Sequence, residues 1–309
     1  MSNLAALASV FICILLGYLA KHFRYVQEQV ERGLTEFVFK VSVPALIFLA
    51  MAQQTDSQGS MWGYWISYFG GAALVWALCA WLACRYLQQD KRSALLMGFS
   101  TSQSNTVFVG VPLILQAFGP QASYPLFMLL AVHMPVMMGA ASFIIEADGS
   151  KPVSHQVRGL AQVLGKNPIF VALMAGLLWK LLPISVPELP EQILKTLAQC
   201  ASACALFALG MSIHRLGIRG HMGPISLVVT GKLLLHPLAV WVLATFVFDM
   251  PPLFTAVATM FAAMPIGINS YLLASKYQAG EATVASSIAL STLLAAGSAL
   301  FWLFLVHPL

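Results

Sequence analysis

The sequence predicts an all-α polytopic membrane protein, with ten transmembrane helices in two inverted repeats of five and with helices 4 and 9 broken and crossed. Of the 309 residues, 59% are hydrophobic and 9% are charged, and the mean hydropathy is +0.82. Soluble domains carry about 25% charged residues, so a soluble globular fold is excluded. Two further observations refine this prediction: membrane-length apolar segments recur along the chain, and two of them contain polar residues and proline.

The ten segments meet or approach the roughly 17 to 25 residues that a helix needs to cross a bilayer. They cover residues 4–20, 33–51, 62–84, 93–118, 124–145, 168–182, 193–213, 225–247, 253–275 and 282–306. The sixth segment is short. Helices are favoured over a barrel because short alternating strands are absent from the pattern.

The basic residues predict the orientation, because Lys and Arg collect in cytoplasmic loops. Connections after the odd-numbered segments hold twelve of the 16 basic residues, and the opposite side holds only Lys180 and Lys195. This bias places both termini outside. The twelve are Lys21, Arg24, Arg32, Arg85, Lys91, Arg92, Lys151, Arg158, Lys166, Arg215, Arg219 and Lys276. Basic residues scattered in loops also argue against a nucleic-acid partner.

The ten segments divide into five and five around the longest loop. This division predicts a first repeat at 1–146, a cytoplasmic linker at 147–166 and a second repeat at 167–309. An odd number of spans in each half inverts the second half relative to the first. The fourth segment then pairs with the ninth, and these are the two interrupted segments.

The interruptions have the composition expected of broken helices. Residues 100–116 read STSQSNTVFVGVPLILQ, a polar run followed by Gly110 and Pro112, and residues 262–271 read AAMPIGINSY. Polar side chains in hydrocarbon are costly unless they face protein or water, and proline removes a backbone donor. A pair of interrupted segments in corresponding positions indicates a transporter binding site. We therefore expect discontinuous helices that line a cavity.

Asn105 and Asn269 are the first candidates for binding, because a carboxamide both donates and accepts hydrogen bonds. The alternative is that each only satisfies the freed backbone of its own helix. The N-termini of the half-helices would favour an anion. The predicted binding set is Asn105, Ser104, Val111, Pro112, Pro265, Asn269, Ser270, Tyr271 and Lys232.

Lys232 lies about a third of the way into the eighth segment. A cation at that depth must pair, face a cavity or extend to the interface, so the sequence leaves open both a functional role and a lysine that reaches the cytoplasmic surface. His236, four residues later, and His133, in the fifth segment, are candidate proton carriers. For His133 the alternative is a hydrogen-bonded packing residue.

The sequence lacks the residues that several other functions would require. Neither interrupted segment contains a carboxylate, which favours proton coupling or uniport over obligatory sodium coupling. The five cysteines fall inside apolar segments, so neither a disulfide framework nor a metal site is predicted, and no cofactor is expected. Motifs of metalloproteases, serine hydrolases and P-loop enzymes are absent from the sequence.

A family resemblance accompanies these observations. Residues 104–113, SNTVFVGVPL, resemble the Asn-x-Gly-Phe-x-Gly-x-Pro-Leu motif of the auxin efflux carrier family, although Val107 stands where the family commonly has glycine. Residues 43–48, 205–211 and 269–277, Lys232 with Pro237, and the serines near 286 and 291 also look like family blocks. The family includes bacterial malonate and malate carriers and plant auxin exporters.

The resemblance implies a fold similar to the bile-acid/sodium symporters, with crossed helices 4 and 9, and elevator-like transport of organic anions. Related folds often dimerise through the scaffold, which makes a homodimer one option that the sequence itself leaves open. The short central loop looks like that of bacterial members and implies an inner-membrane location. The prediction is a secondary carrier of small carboxylates; the alternatives are an anion channel, a non-transporting sensor and a membrane enzyme.

Overall fold

A computed structural model describes residues 3–53, 61–145, 165–182, 184–213 and 220–306. Within these ranges the regular elements are helices, apart from an isolated antiparallel bridge between Ser104 and Ile266. The helices are α1 (Asn3–His22), α2 (Glu28–Ala52), α3 (Met61–Tyr86), α4 (Lys91–Ser102), α5 (Thr106–Phe118), α6 (Pro120–Ile145), α7 (Pro168–Lys180), α8 (Glu188–Ile213), α9 (Met222–Val247), α10 (Pro252–Ala263), α11 (Asn269–Tyr277) and α12 (Glu281–Val306).

Six helices are long and apolar enough to cross a membrane, namely α2, α3, α6, α8, α9 and α12. Ala8–His22 of α1, together with α5, α7 and α10, forms shorter apolar helices of 10–17 residues. Two of these are short because the predicted fourth and ninth spans are each interrupted, giving α4 with α5 and α10 with α11. The all-helical polytopic prediction is confirmed; the ten crossings and the inverted repeat remain predictions.

Three helices contain a π-turn that ends two residues before a proline. A proline ring clashes with the carbonyl four residues earlier in a regular α-helix, and the wider π-turn removes that carbonyl from its usual place. The prolines are Pro44, Pro112 and Pro237. Their π-turns are Val38–Ser42 in α2, Thr106–Gly110 in α5 and Gly231–Leu235 in α9. Proline therefore reshapes these helices without ending them.

Contacts divide the chain into two compact units, each of which combines segments from both halves of the sequence. The first unit comprises Met1–Phe11, Gln58–Ala117 and Ser212–Leu309, and the second comprises Ile12–Ser57 and Phe118–Met211. The predicted linker at 147–166 lies almost wholly outside the described residues, as do the basic residues Lys151, Arg158, Arg215 and Arg219. The division into sequential repeats remains a prediction.

The first unit is built around the extensive packing of α3 against α4. A Cβ atom on Gly98 would lie 2.5 Å from the carbonyl oxygen of Trp76, so only glycine permits this approach of the two helices. The Trp76 indole donates to the carbonyl of Leu95 and stacks edge-on against Phe99. This packing fixes the start of the first interrupted segment.

The second unit repeats the use of small residues at helix contacts. In α7, a Cβ on Gly176 would meet the carbonyl oxygen of Phe48 in α2 at 2.8 Å. Gly17 of α1 and Gly210 of α8 lie closer still, because a Cβ on each would be 2.1 Å from the carbonyl oxygen of Phe207 and 1.9 Å from that of Ile14, respectively. Without a hydrophobic driving force in lipid, such close van der Waals contact holds transmembrane helices together.

Candidate functional site

The two interrupted segments meet inside the first unit, at residues 103–105 and 265–267. The backbone amide of Asn105 donates to the carbonyl of Pro265 at 2.8 Å, and the amide of Gly267 donates to the carbonyl of Gln103 at 3.0 Å. Around the bridge between Ser104 and Ile266, these bonds form a short antiparallel crossing. The crossing satisfies backbone groups that the helix breaks release.

Each first half-helix ends where the backbone becomes extended, and for α10 a proline explains the position. α4 ends at Ser102 and the backbone of Gln103 is extended. α10 ends at Ala263, and Met264, the residue before Pro265, is extended, as the clash between a proline ring and its preceding residue requires. At Gly267 a Cβ atom would lie 3.1 Å from the carbonyl oxygen of Ser104. The absence of a side chain at Gly267 lets the two interrupted segments cross closely.

Lys232 binds both interrupted segments from a third helix. Its side chain is fully buried. The Nζ atom donates a short hydrogen bond to Ser104 Oγ, donates to the carbonyl of Ala262 at 2.8 Å and lies 3.1 Å from His236 Nδ1. Ala262 is in the last turn of α10, where the helix dipole favours a cation. The alternative of a lysine that reaches the membrane surface does not describe the structure.

The π-turn of α9 sets the position of Lys232. Leu233 lies four residues before Pro237, and its carbonyl accepts hydrogen bonds from Trp302 Nε1 at 2.8 Å and from Ser298 Oγ at 2.9 Å. Two side chains of α12 thus donate hydrogen bonds to the carbonyl that would otherwise lose its helical partner, because proline has no amide hydrogen. Gly231 completes the fit, since a Cβ there would meet Cys79 Sγ and Thr101 Cγ2, each at 2.8 Å.

The charge around this crossing is one-sided. The described ion pairs are Arg32–Glu28, Lys40–Glu36 and Lys195–Glu191, all between residues four apart on one helix. The described carboxylates of the first unit are Asp90, Asp249 and Glu281, which lie before α4, before α10 and at the start of α12. In the described part of the chain, therefore, no carboxylate pairs with the buried Lys232.

Helix starts add to the positive character. α5 begins directly after Asn105 and α11 begins at Asn269. Neither Asn105 nor Ile268 caps its helix with a side chain. Backbone carbonyls accept early amides instead: the amide of Thr106 donates to Ser104, and that of Ser270 donates to Gly267. Because helix N-termini carry partial positive charge, the arrangement favours an anion that lies near the crossing.

Three predicted residues present polar side chains near these helix starts. Asn105 and Asn269 are both half-buried. The Ser270 hydroxyl is fully buried and has no hydrogen-bond partner among the described atoms. A buried hydroxyl without a partner costs free energy, so Ser270 has unused capacity to bind a ligand.

Other predicted residues lie away from the crossing or serve packing. Val111 and Pro112 are buried inside α5, because the chain breaks at 103–105 and the π-turn keeps the proline within a helix. Tyr271 packs partly buried against a hydrophobic cluster that includes Ile266 and Ala274. His133 is fully buried in α6 of the second unit, whereas His236 lies beside Lys232.

The polar run before the break faces protein. Ser100 and Thr101 donate to carbonyls of their own helix, and Ser102 donates to the carbonyl of Ala72 at 3.1 Å. All three are fully buried. The expectation that this part of the run lines a cavity is therefore corrected: these hydroxyls are satisfied by backbone oxygens.

Sequence reasoning missed the residues that support the crossing from other helices. Ser291 Oγ accepts the amide of Ile266 at 3.2 Å. Tyr68 places its hydroxyl 3.5 Å from Ser104 Oγ and its ring edge-on against His236. Pro237 could have indicated a role for a donor such as Trp302, because the proline leaves the carbonyl of Leu233 without a helical partner. Tyr68 lies in an aromatic run, and nothing in that run indicates its role. Among the described residues, no cluster of His, Cys, Asp or Glu could hold a metal.

Membrane-length apolar helices and a buried cationic crossing of two broken helices define a multi-pass membrane protein of the transporter class. The family model described as "Membrane transport protein" matches residues 3–156 and 159–303. The chain belongs to this family, the auxin efflux carrier family whose motif it resembles.

Two relatives illustrate the range of similar proteins. A protein of Rhizobium meliloti (strain 1021) named "Putative malonate transporter" is 24% identical over 302 residues, which cover 96% of this chain and 93% of that protein. The "Lysosomal cholesterol signaling protein" of Mus musculus is 28% identical over 252 residues. The match covers 75% of this chain and 29% of the mouse protein.

Proposed function

We propose that the protein is a secondary transporter that carries small organic anions, such as malonate, malate or auxin-like acids, by alternating access of the elevator type. The observation that carries the proposal is the fully buried amino group of Lys232, which lies at the crossing of two broken helices without a described carboxylate partner. An uncompensated buried cation is costly. A bound carboxylate would offset that cost.

The proposed binding site groups the polar residues at the start of the second half-helices. The carboxamides of Asn105 and Asn269 and the hydroxyl of Ser270 would hold the carboxylate, beside the N-termini of α5 and α11, which carry partial positive charge. Ser104 and Lys232 would lie behind them and supply positive potential. The backbone at Pro265, with Tyr271 nearby, would complete the set, while Val111 and Pro112 would support α5 from within.

The proposal includes a membrane arrangement. Ten spans in two inverted repeats would place both termini outside a bacterial inner membrane, with the first unit as the moving body. The match to the Rhizobium meliloti protein along nearly the whole chain supports a carrier of that kind. Dimerisation through the second unit and coupling to protons in preference to sodium belong to the same proposal.

A sensor without transport is the second candidate, because the mouse relative is named for signaling. An anion channel is the third, since a polar break can also serve as a filter. Proteoliposomes separate all three. The experiment measures uptake of radiolabelled malonate, malate and indole-3-acetate while a proton gradient, a sodium gradient or a membrane potential is imposed in turn.

A carrier gives saturable uptake and counterflow, in which unlabelled substrate inside the vesicles accelerates entry of the label. A channel gives unitary currents and no counterflow. Binding without flux would favour the sensor. The absence of saturable flux for all three anions under every gradient would contradict the proposal.

A further inference from the structure

Lys232 is a buried amine whose hydrogen-bond partners can satisfy either of its two protonation states. The Ala262 carbonyl can only accept a hydrogen bond, whereas Ser104 Oγ and His236 Nδ1 can each accept or donate. An ammonium would donate to all three atoms. A neutral amine would donate to two of them and accept from the third.

The groups that face Lys232 offer no fixed negative charge. From α3 come Tyr68, whose hydroxyl lies 3.5 Å from Ser104 Oγ, and Cys79, which lies beside Gly231. From α10 comes the carbonyl of Ala262, which contacts Nζ directly. The neighbouring residues Gly231 and Leu233 meet uncharged groups: Thr101 of α4 lies beside Gly231, and Ser298 and Trp302 of α12 donate to the carbonyl of Leu233. His236, on the same helix, is the other titratable neighbour. A charge on Lys232 is thus uncompensated until an anion arrives.

We propose that Lys232 carries the proton that balances the charge of the transported anion, an inference that rests on the proposed function. As the anion binds, the lone pair of Nζ takes one proton from the aqueous side to which the site is open, forming one N–H bond. When the anion leaves, that bond breaks and the proton returns to water. No other covalent bond changes.

The proposal predicts how charge moves. A monoanion together with the proton on Lys232 crosses without net charge, whereas a dianion leaves one negative charge uncompensated. Burial of a lone charge is costly and burial of a compensated pair costs less. The first unit would therefore move readily when it holds both the anion and the proton, or neither. It would move less readily when it holds only one of them. Coupled transport requires this difference.

The first test counts protons during binding. Malonate is added to purified protein in weakly buffered solution at mildly alkaline pH, where the dicarboxylate is fully ionised, and proton uptake is read with an indicator dye. The wild type should take up about one proton per malonate bound. Lys232→Arg, which keeps its charge at all pH values, should bind malonate without proton uptake. His236→Gln should still take up the proton.

Malonate binding by the wild type without proton uptake would overturn the proposal. Equal proton uptake by Lys232→Arg would also overturn it. Loss of proton uptake only in His236→Gln would show that the histidine, and not the lysine, takes up the proton. If Lys232→Arg does not elute as a folded species in size-exclusion chromatography, the comparison between the wild type and His236→Gln still decides between the two residues.

The second test needs no substrate, so it separates this proposal from the proposed function. The apparent melting temperatures of the wild type and of Lys232→Met are compared from acid to mildly alkaline pH. The unfolded chain holds the lysine proton throughout this range, whereas the folded, empty protein would release it. Because stability rises with pH where the unfolded state binds more protons, the wild type should gain on Lys232→Met as pH rises. A constant difference would contradict a lysine that releases its proton, even if none of the three anions binds.

Discussion

Trp302 in α12 donates a 2.8 Å hydrogen bond to the carbonyl of Leu233 in α9, the carbonyl that Pro237 excludes from its helix. The next residue back along α9 is Lys232, whose Nζ atom is hydrogen-bonded to both interrupted segments. The position of the buried lysine therefore depends on a tryptophan in α12. This link connects the stability of the first unit with its proposed site.

Replacement of Trp302 by phenylalanine should reduce stability by about 1 kcal/mol, the net value of one buried hydrogen bond. Ser298→Ala alone should cost less, because the indole remains. The double variant should cost more than the sum, since the Leu233 carbonyl then has neither side chain. Thermal unfolding in detergent measures all three. Trp62→Phe is the control, because Trp62 is 71% exposed; equal effects of the two Trp→Phe changes would argue against the link.

Gly231→Ala should destabilise the protein by about 1–3 kcal/mol, the usual cost of overpacking. The new Cβ would meet Cys79 Sγ and Thr101 Cγ2, each at 2.8 Å. Adding Cys79→Ala should recover part of the loss by removing one of the two clashes. Gly297→Ala is the matched control, because nothing described lies within 4 Å of a Cβ there. A neutral Gly231→Ala would show that α9 and α3 are less tightly packed than described.

Asp90 should make stability depend on pH at the start of α4. Its carboxylate accepts the amides of Arg92 and Ser93 at 3.0 Å, and the hydrogen bond with the Ser93 side chain leads the causes that lower the pKa of Asp90. A lowered pKa gives stability that is present above the unfolded value, about 3.9 for aspartate, and is lost as pH falls through the folded value.

The measurement is the melting temperature of the wild type and Asp90→Asn across the acid range. Asparagine still caps a helix but has no charge to lose, so the gap between the two should close as pH falls below the folded pKa of Asp90. Asp90→Ala should lose about 1 kcal/mol at neutral pH. A gap that does not change with pH would contradict the assigned role of the carboxylate.

The helical content and the presence of two interruptions follow from local sequence. Polar residues and proline within apolar segments predicted both breaks, and the crossing does lie at Ser104 and Ile266. The exact position of the first break was not predictable from Pro112, because a π-turn lets a helix continue through a proline. Such turns depend on partners like Trp302, almost seventy residues away from Leu233.

Tertiary contacts explain the rest of the difference between prediction and structure. The sequence predicted how far Lys232 lies into its span but not where its side chain points. The side chain points inward because Ser104 and Ala262, on two other segments, accept its hydrogen bonds. The interleaving of both sequence halves in each compact unit is likewise a long-range property. The hydropathy pattern predicts which segments are membrane helices, but it does not predict which helices pack against each other.

Asn105 provides the most direct test of the proposed site, because its carboxamide is half-buried at the start of α5 and does not cap that helix. The measurement is malonate uptake into proteoliposomes by the wild type, Asn105→Ala and the surface control Gln121→Ala, each reconstituted at equal amounts of folded protein. Asn105→Ala should lose saturable uptake while its yield and melting temperature stay normal, and Gln121→Ala should transport like the wild type. Normal uptake by Asn105→Ala would contradict the assignment of the anion site to the crossing.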